Sequence, residues 1–96
     1  MLAMKPNCQC CDCDLPPDSQ QAMICSFECT FCRDCVDNVL GDVCPNCGGG
    51  FVPRPIRPRG ALLRDSAGTE RRHTKLSPAE IEERSARSRD IDPAAR

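Results

Sequence analysis

The fold is decided by a cysteine-dense stretch, Cys25-Ser-Phe-Glu-Cys29-Thr-Phe-Cys32-Arg-Asp-Cys35, and by the turn that follows it, Cys44-Pro-Asn-Cys47. A structural zinc ion takes four ligands in a tetrahedron, and a Cys-x2-Cys turn supplies two of them from one short loop. The stretch and the turn together contain three closely spaced cysteine pairs. The spacing therefore predicts that this part of the chain binds metal.

A fourth pair comes from a crowded segment nearer the N-terminus. Cys8, Cys10, Cys11 and Cys13 lie within six residues, so either Cys8 with Cys11 or Cys10 with Cys13 has the required spacing. We favour Cys8 and Cys11, because Leu15 then follows the second ligand by four residues, where zinc knuckles commonly place an apolar residue. Four pairs make two tetrahedral sites, so the sequence predicts two Zn²⁺ ions.

Cysteine usage also bears on the cellular compartment. All 10 cysteines lie between Cys8 and Cys47, a density typical of either a disulfide scaffold or a metal site. The N-terminus has no apolar run that would serve as a signal peptide or membrane span. We therefore expect a cytoplasmic protein, in which the thiols stay reduced and bind metal.

The two halves of the chain differ in charge. Residues 1–53 contain two basic and seven acidic residues, a net −5, whereas residues 54–96 contain eleven basic and seven acidic residues, a net +4. An acidic head binds phosphate poorly. The charge therefore argues against nucleic acid as the partner of the cysteine-rich head.

Composition divides the chain into three parts. We predict a two-zinc domain at residues 5–52, an extended Pro/Arg linker at residues 53–60 and a mostly disordered tail at residues 61–96, because the tail has few large apolar residues. A short, solvated helix is possible at residues 78–89, since Ser77 is a good N-cap, Pro78 suits the first helical position and Glu80 completes a capping box.

Short elements are predicted between the cysteines. Residues 22–27 are typical of a strand, and residues 32–40 of a two-turn helix that ends at Gly41. The apolar residues between the ligands indicate a packed domain rather than a metallothionein-like metal store; they are Ile24, Phe27, Phe31, Val36, Val39 and Leu40.

The order of the pairs resembles that of a known zinc domain. Cys29 to Cys35, a helix, and then Cys44-Pro-Asn-Cys47 resemble the second half of a RING finger, with Cys29 at the place of the usual His. The resemblance implies a cross-brace, in which the first zinc is bound by Cys8, Cys11, Cys32 and Cys35, and the second by Cys25, Cys29, Cys44 and Cys47. The implied fold is a small zinc-stabilised α+β domain, a RING-like treble clef with little regular secondary structure.

The sequence as a whole resembles a second family. Its motifs are Lys-Pro-Asn-Cys8, Asp14-Leu-Pro-Pro-Asp18, Met23-Ile-Cys-Ser-Phe-Glu-Cys-Thr-Phe-Cys32 and Val43-Cys-Pro-Asn-Cys-Gly-Gly49. About residues 1–59 are similar to short, cysteine-rich bacterial proteins known only as a domain of unknown function. The family's Cys-x-Cys-Cys opening matches Cys8, Cys10 and Cys11, which favours Cys8 and Cys11 as ligands. The resemblance implies no activity.

The pattern favours a structural zinc module that binds another protein. Every paired cysteine is used as a ligand, which leaves no open metal position for catalysis. The single His73 lies in the tail, so we expect no enzyme. A ubiquitin-ligase-like RING is disfavoured, because Gln9 and Cys10 replace the apolar residue inside the first pair, Gly48 follows the last ligand and the chain has no Trp.

Two further hypotheses concern the metal chemistry. Cys10 and Cys13 are left unassigned, so a redox or metal sensor that releases zinc on oxidation is one alternative. An iron–sulfur cluster is another, because Cys29-x2-Cys32-x2-Cys35 begins like a ferredoxin motif; the next Cys-Pro, however, comes nine positions later instead of four. The sequence leaves open which protein is bound, the oligomeric state and the role of the tail.

Overall fold

A three-stranded antiparallel sheet forms the centre of the N-terminal half, the head. The structure is a computed structural model that describes residues 1–96. The strands are β1 (Ala22–Ile24), β2 (Thr30–Cys32) and β3 (Val52–Pro53), in the order β2-β1-β3. Met23 pairs with Phe31 on one side of β1, and Ile24 pairs with Val52 on the other. The predicted α+β class is confirmed, although β1 ends at Ile24 and not at residue 27.

Helical segments follow the sheet. Helix α1 (Arg33–Cys35) continues directly as a π-helical segment, Val36–Leu40, which ends at Gly41 with φ 59° as the sequence predicts. Helix α2 (Arg59–Leu62) and helix α3 (Pro78–Ser88) come next, and a 3₁₀ turn (Pro93–Ala95) follows. None of these helices has the length and apolar character needed to cross a membrane.

The core is small and contains many of the cysteines. Five of the 12 residues in the buried apolar cluster are cysteines. Phe31 is fully buried and meets Phe51 edge to face, with ring centroids 5.5 Å apart. Two predicted core residues lie outside instead: Phe27 is 74% exposed and Val39 is 42% exposed. The apolar contribution to stability is therefore modest, and the cysteine clusters occupy much of the interior.

The tail lies against the head, which differs from the predicted disorder. Two backbone bonds join them, from Gly68 to the carbonyl of Met4 (2.9 Å) and from Thr74 to that of Gln9 (2.7 Å). Helix α3 has the predicted capping box, and its Ile81 is buried in the core cluster. The composition could not indicate the contacts that end on backbone carbonyls of the head; Arg71 of the tail also pairs with the carboxylates of Asp12 and Asp14, at 3.0 and 2.7 Å.

Gly41 allows α3 to come close to the head. A Cβ at this position would lie 2.7 Å from the Ser85 Oγ, and the positive φ is unfavourable for other residues. Arg84 of the same helix donates to the carbonyl of Pro45 at 2.6 Å. Helix α3 thus packs beside the turn that contains Cys44 and Cys47.

The Pro/Arg segment, predicted as a linker, is bound at two of its arginines. Arg54 is buried and donates to the carbonyls of Lys5 (2.8 Å), Leu15 (3.1 Å) and Pro16 (2.9 Å). Arg57 donates to the carbonyl of Leu2 at 2.6 Å. The segment therefore fastens the N-terminal residues to β3.

We expect Ile81→Ala to release helix α3 from the head. Truncating a buried Ile costs about 2–5 kcal/mol, and α3 has few other apolar contacts. Amide hydrogen exchange should show loss of protection at residues 78–88 while β1 and β2 stay protected. Ile91→Ala is the matched control, since Ile91 is 42% exposed. Equal protection of α3 in both variants would show that Ile81 does not hold the helix.

Candidate metal centres

Two groups of cysteines meet in the structure. The sulfur atoms of Cys8, Cys11, Cys13 and Cys32 all lie within 4.8 Å of one another, and so do those of Cys25, Cys44 and Cys47. The groups interleave along the chain. Cys25 of the second group lies between Cys13 and Cys32 of the first group in the sequence, and Cys44 and Cys47 follow Cys32. Each group could hold a metal ion.

The first group is assembled by a closed loop. The amide of Cys8 donates to the carbonyl of Cys13 at 2.9 Å, and the amide of Asp12 donates to the carbonyl of Cys8 at 2.9 Å. Asp12 has φ 65°, which turns the chain back on itself. This reversal places Cys13 beside Cys8, and the Cys11 Sγ lies 3.7 Å from the Cys32 Sγ where β2 ends.

Backbone amides point at the sulfur atoms in both groups. The amides of Cys10 and Cys11 donate to the Cys8 Sγ at 3.4 and 3.5 Å, and the Cys35 amide donates to the Cys32 Sγ at 3.4 Å. In the second group the Phe27 amide donates to the Cys25 Sγ at 3.4 Å. Such bonds favour the thiolate, which is the form that binds metal.

The second group lies between the β1–β2 hairpin and the Cys44–Cys47 turn. Glu28, with φ 64°, closes the hairpin, and the Gly49 amide donates to the Cys47 Sγ at 3.4 Å. Cys29 is outside the closely spaced trio. Its sulfur accepts from the Asn46 Nδ2 at 3.5 Å and is near enough to Cys44 to disfavour the thiolate there.

Burial disfavours the thiolate form at five of the cysteines. Burial raises the pKa of Cys10, Cys32, Cys35 and Cys44, and neighbouring thiols add to the effect. Burial, together with the hydrogen bond shared with Cys11, raises the pKa of Cys13 to about 12. A bound dication would reverse this balance, because it supplies the positive charge that crowded thiolates lack.

Cys11 is the exception in the first group. Partial burial would raise its pKa, but hydrogen bonds from the Cys13 amide and from the thiols of Cys13, Cys8 and Cys32 outweigh burial. They lower the pKa of Cys11 to about 7. The first group therefore has one thiol that ionises readily even before metal binds.

The predicted ligands are placed as follows. The structure brings together Cys8, Cys11 and Cys32 of the first predicted set, with Cys13 as the fourth close thiol, while Cys35 is outside this group and its amide donates to the Cys32 Sγ at 3.4 Å. It brings together Cys25, Cys44 and Cys47 of the second set, with Cys29 at the edge. The exact ligand sets stay predictions.

Two contributors have only a weak signal in the sequence. Cys13 is a predicted ligand only in the alternative pair with Cys10, and the spacing of that pair is its signal. The bond from Asn46 to the Cys29 sulfur had no signal beyond the position of Asn46 inside the Cys-Pro-Asn-Cys turn.

Comparison with known proteins places the head in context. The family model described as "Protein of unknown function (DUF1272)" matches residues 1–57. An uncharacterized protein of Rhizobium meliloti (strain 1021) is 59% identical over 71 residues, which cover 74% of this chain and 84% of the relative. No solved structure gives a significant match to the chain. The resemblance to a cysteine-rich family without known function is thereby confirmed.

Proposed function

The chain belongs to the DUF1272 family, which has no known function, and we propose a function from the geometry of the site. The protein is a structural zinc module that binds another protein. The proposal includes two Zn²⁺ ions, a RING-like cross-brace of the treble-clef type and a cytoplasmic location. The observation that carries it is the interleaving of the two cysteine groups. Metal at both would tie together segments that the small core holds only weakly.

The arrangement favours a structural role over catalysis. The first group has four close thiols, and the second has three with Cys29 at its edge, so four cysteines are at hand for each ion, whereas a catalytic zinc keeps one position open. His73 is exposed, and its Nδ1 is paired with the carbonyl of Thr74 at 2.9 Å. Its position gives no support for a role as a catalytic base.

Two of the three arginines of residues 53–60 favour a protein partner over nucleic acid. Arg54 and Arg57 are engaged with backbone carbonyls, so their guanidinium groups are not free to bind phosphate. Asp34 is exposed and adds negative charge beside the first cysteine group, whereas the Asp14 carboxylate is paired with Arg71 at 2.7 Å. The charge of Asp34 disfavours contact with a nucleic-acid backbone.

An open groove of about 450 Å³ next to the first cysteine group is the proposed contact surface. Leu15 and Val39 are among its apolar lining residues, and Asp34 supplies an acidic group, while the Asp14 carboxylate at its edge is paired with Arg71. A protein segment that presents an apolar side chain beside a basic one would fit this combination. The metal ion would keep the groove rigid, since Cys32 and Cys35 also line it.

The test combines metal analysis with crosslinking. Native mass spectrometry of the full chain, purified without added metal, should show two zinc ions. A photoreactive residue in place of Val39 should give a discrete protein adduct in the cell that encodes the chain. The same residue in place of Val52, which is 60% exposed on β3, should not. Bound iron would contradict the zinc assignment, and no adduct from position 39 would contradict the protein-binding role.

A further inference from the structure

Two adjoining cavities lie where the tail crosses the turn that contains Cys44 and Cys47. The larger, of about 530 Å³, is lined by tail residues, by this turn and by Gln9, and the smaller, of about 320 Å³, lies between the turn and helix α3. Arg84 lines both cavities, so the two adjoin as one trough. We call it the basic trough, after the four Lys and Arg residues that line it: Arg72, Lys75, Arg84 and Arg87.

The positive charge of the basic trough has no acidic counterpart in its lining. Neither cavity has an Asp or a Glu among its lining residues. Arg72 is paired with Glu70, which does not line the trough, and Arg84 donates to a backbone carbonyl rather than to a carboxylate. The four ion pairs of the structure include neither Lys75 nor Arg87, and both of these side chains are exposed. Two cations are therefore free to bind an anionic ligand.

Gln9 offers a second, independent sign of a ligand. It lines the larger cavity and is 5% exposed, and its side-chain Nε2 is buried without a hydrogen-bond partner. Its backbone is already engaged, because its N–H donates to the carbonyl of Thr30 (3.0 Å) and its carbonyl accepts from the Thr74 amide (2.7 Å). Buried polar groups in native proteins are nearly always hydrogen-bonded. A ligand in the cavity would supply the missing acceptor for the Gln9 amide.

The size and lining of the basic trough favour a peptide segment over other anions. A single carboxylate or phosphate would fill little of the two cavities. Sites for compact organic ligands are mostly apolar, whereas Leu76 is the one hydrophobic residue that lines the larger cavity. No aromatic residue lines the trough to stack on a nucleic-acid base, and a long nucleic acid would extend over the acidic head.

We propose that the basic trough binds a short peptide segment, rich in Asp and Glu, of a protein partner. Lys75 in the larger cavity and Arg87 in the smaller one pair with carboxylates of the segment, and the Gln9 amide donates to one of its oxygen atoms. No residue lines both this trough and the groove beside the first cysteine group. The inference therefore goes beyond the proposed function, and rests on it only in that the partner is a protein.

Fluorescence anisotropy with labelled decaglutamate tests the trough in the full, zinc-loaded chain. The chain has a formal net charge of −1, so a polyanion is not attracted by the charge of the molecule as a whole. We expect decaglutamate to bind with an affinity that falls as the salt concentration rises, because the cations are exposed. Decauridylate RNA should bind more weakly.

Two double variants of equal charge locate the binding. Lys75→Gln with Arg87→Gln should weaken decaglutamate binding about tenfold, since an exposed ion pair contributes up to about fivefold to affinity. Arg59→Gln with Arg64→Gln removes the same charge at exposed positions outside the trough and should leave the affinity nearly unchanged. Gln9→Met should also weaken binding while the fold keeps its stability, because the variant removes a buried amide that has no partner.

Several outcomes would overturn the basic trough as a peptide site. Equal losses in the two double variants would show that net charge alone attracts the peptide. Tighter binding of the RNA, unchanged affinity in Gln9→Met, or no binding of decaglutamate would also overturn it. So would loss of zinc from the variant at Lys75 and Arg87, since these cations would then serve the thiolates of Cys44 and Cys47. The zinc count of the natural chain and the adduct from position 39 test the proposed function separately.

Discussion

Chelation of the metal is expected to unfold the head of this protein. The buried cluster has only 12 residues, and five of them are cysteines that would face one another without a cation. Structural zinc contributes about 10–16 kcal/mol to the folding of small zinc domains at neutral pH, which is comparable to the whole stability of a typical domain, about 5–15 kcal/mol. We expect the amide resonances of β1 and β2 to lose their dispersion when a strong chelator is added, and to regain it when zinc is restored.

A cysteine substitution tests the same dependence of the fold on metal. Cys25→Ser removes a buried ligand from the second group and should abolish the bound ion there. Ser26→Ala, at the exposed neighbouring position, is the control and should keep both the metal and the fold. A chelated protein that retained native dispersion would show that the apolar contacts suffice, and that the metal is not structural.

The resemblance to a RING finger implied two interleaved cysteine groups, but the spacing of the cysteines left the membership of the first group open. Cys8 to Cys13 contains two pairs of equal spacing, and spacing alone cannot rank them. The structure brings Cys13 to Cys8 through the reversal at Asp12, whose positive φ depends on local hydrogen bonds. Such a reversal has only a weak sequence signal in Asp.

The predicted core was partly wrong for reasons of local geometry. The strand predicted at residues 22–27 includes Phe27, but the chain leaves β1 at Ile24 to form the turn around Cys25. The helical spacing predicts Val39 on the buried face, whereas the Val36–Leu40 segment is π-helical, and the Gly41 amide donates to the carbonyl of Val36. This i→i+5 pattern shifts side chains off the 3.6-residue period on which the prediction relied.

The tail illustrates a contact type that composition does not reveal. Its sparse apolar residues predicted disorder, and only Ile81 joins the main core cluster. Much of its contact with the head comes from arginines that donate to carbonyls, for example Arg84 to Pro45 and Arg96 to Asp42 at 2.8 Å. An acceptor of this kind can be supplied by any residue, so no sequence pattern marks it.

Loss of the Arg54 side chain is expected to be among the most destabilising single changes outside the cysteines. Its guanidinium is buried and satisfies carbonyls of Lys5, Leu15 and Pro16, which lie about forty residues or more earlier in the chain. Burial without a carboxylate partner lowers the pKa of Arg54, because removing the guanidinium charge from water costs free energy. Because each hydrogen bond to a charged donor contributes about 1.5–3 kcal/mol, the three bonds outweigh that cost.

We therefore expect Arg54→Met to lower the free energy of unfolding by about 3 kcal/mol or more, since it leaves these carbonyls unpaired. Arg54→Lys should fall in between, because one ammonium group lacks the planar fork that reaches two segments at once. Denaturant unfolding with zinc in excess measures the difference, and Arg59→Met, at an exposed position of the same segment, is the control. If Arg54→Met were no less stable than Arg59→Met, residues 53–60 would be only a linker. The predicted loss of stability would show instead that Arg54 joins the first cysteine loop to the sheet.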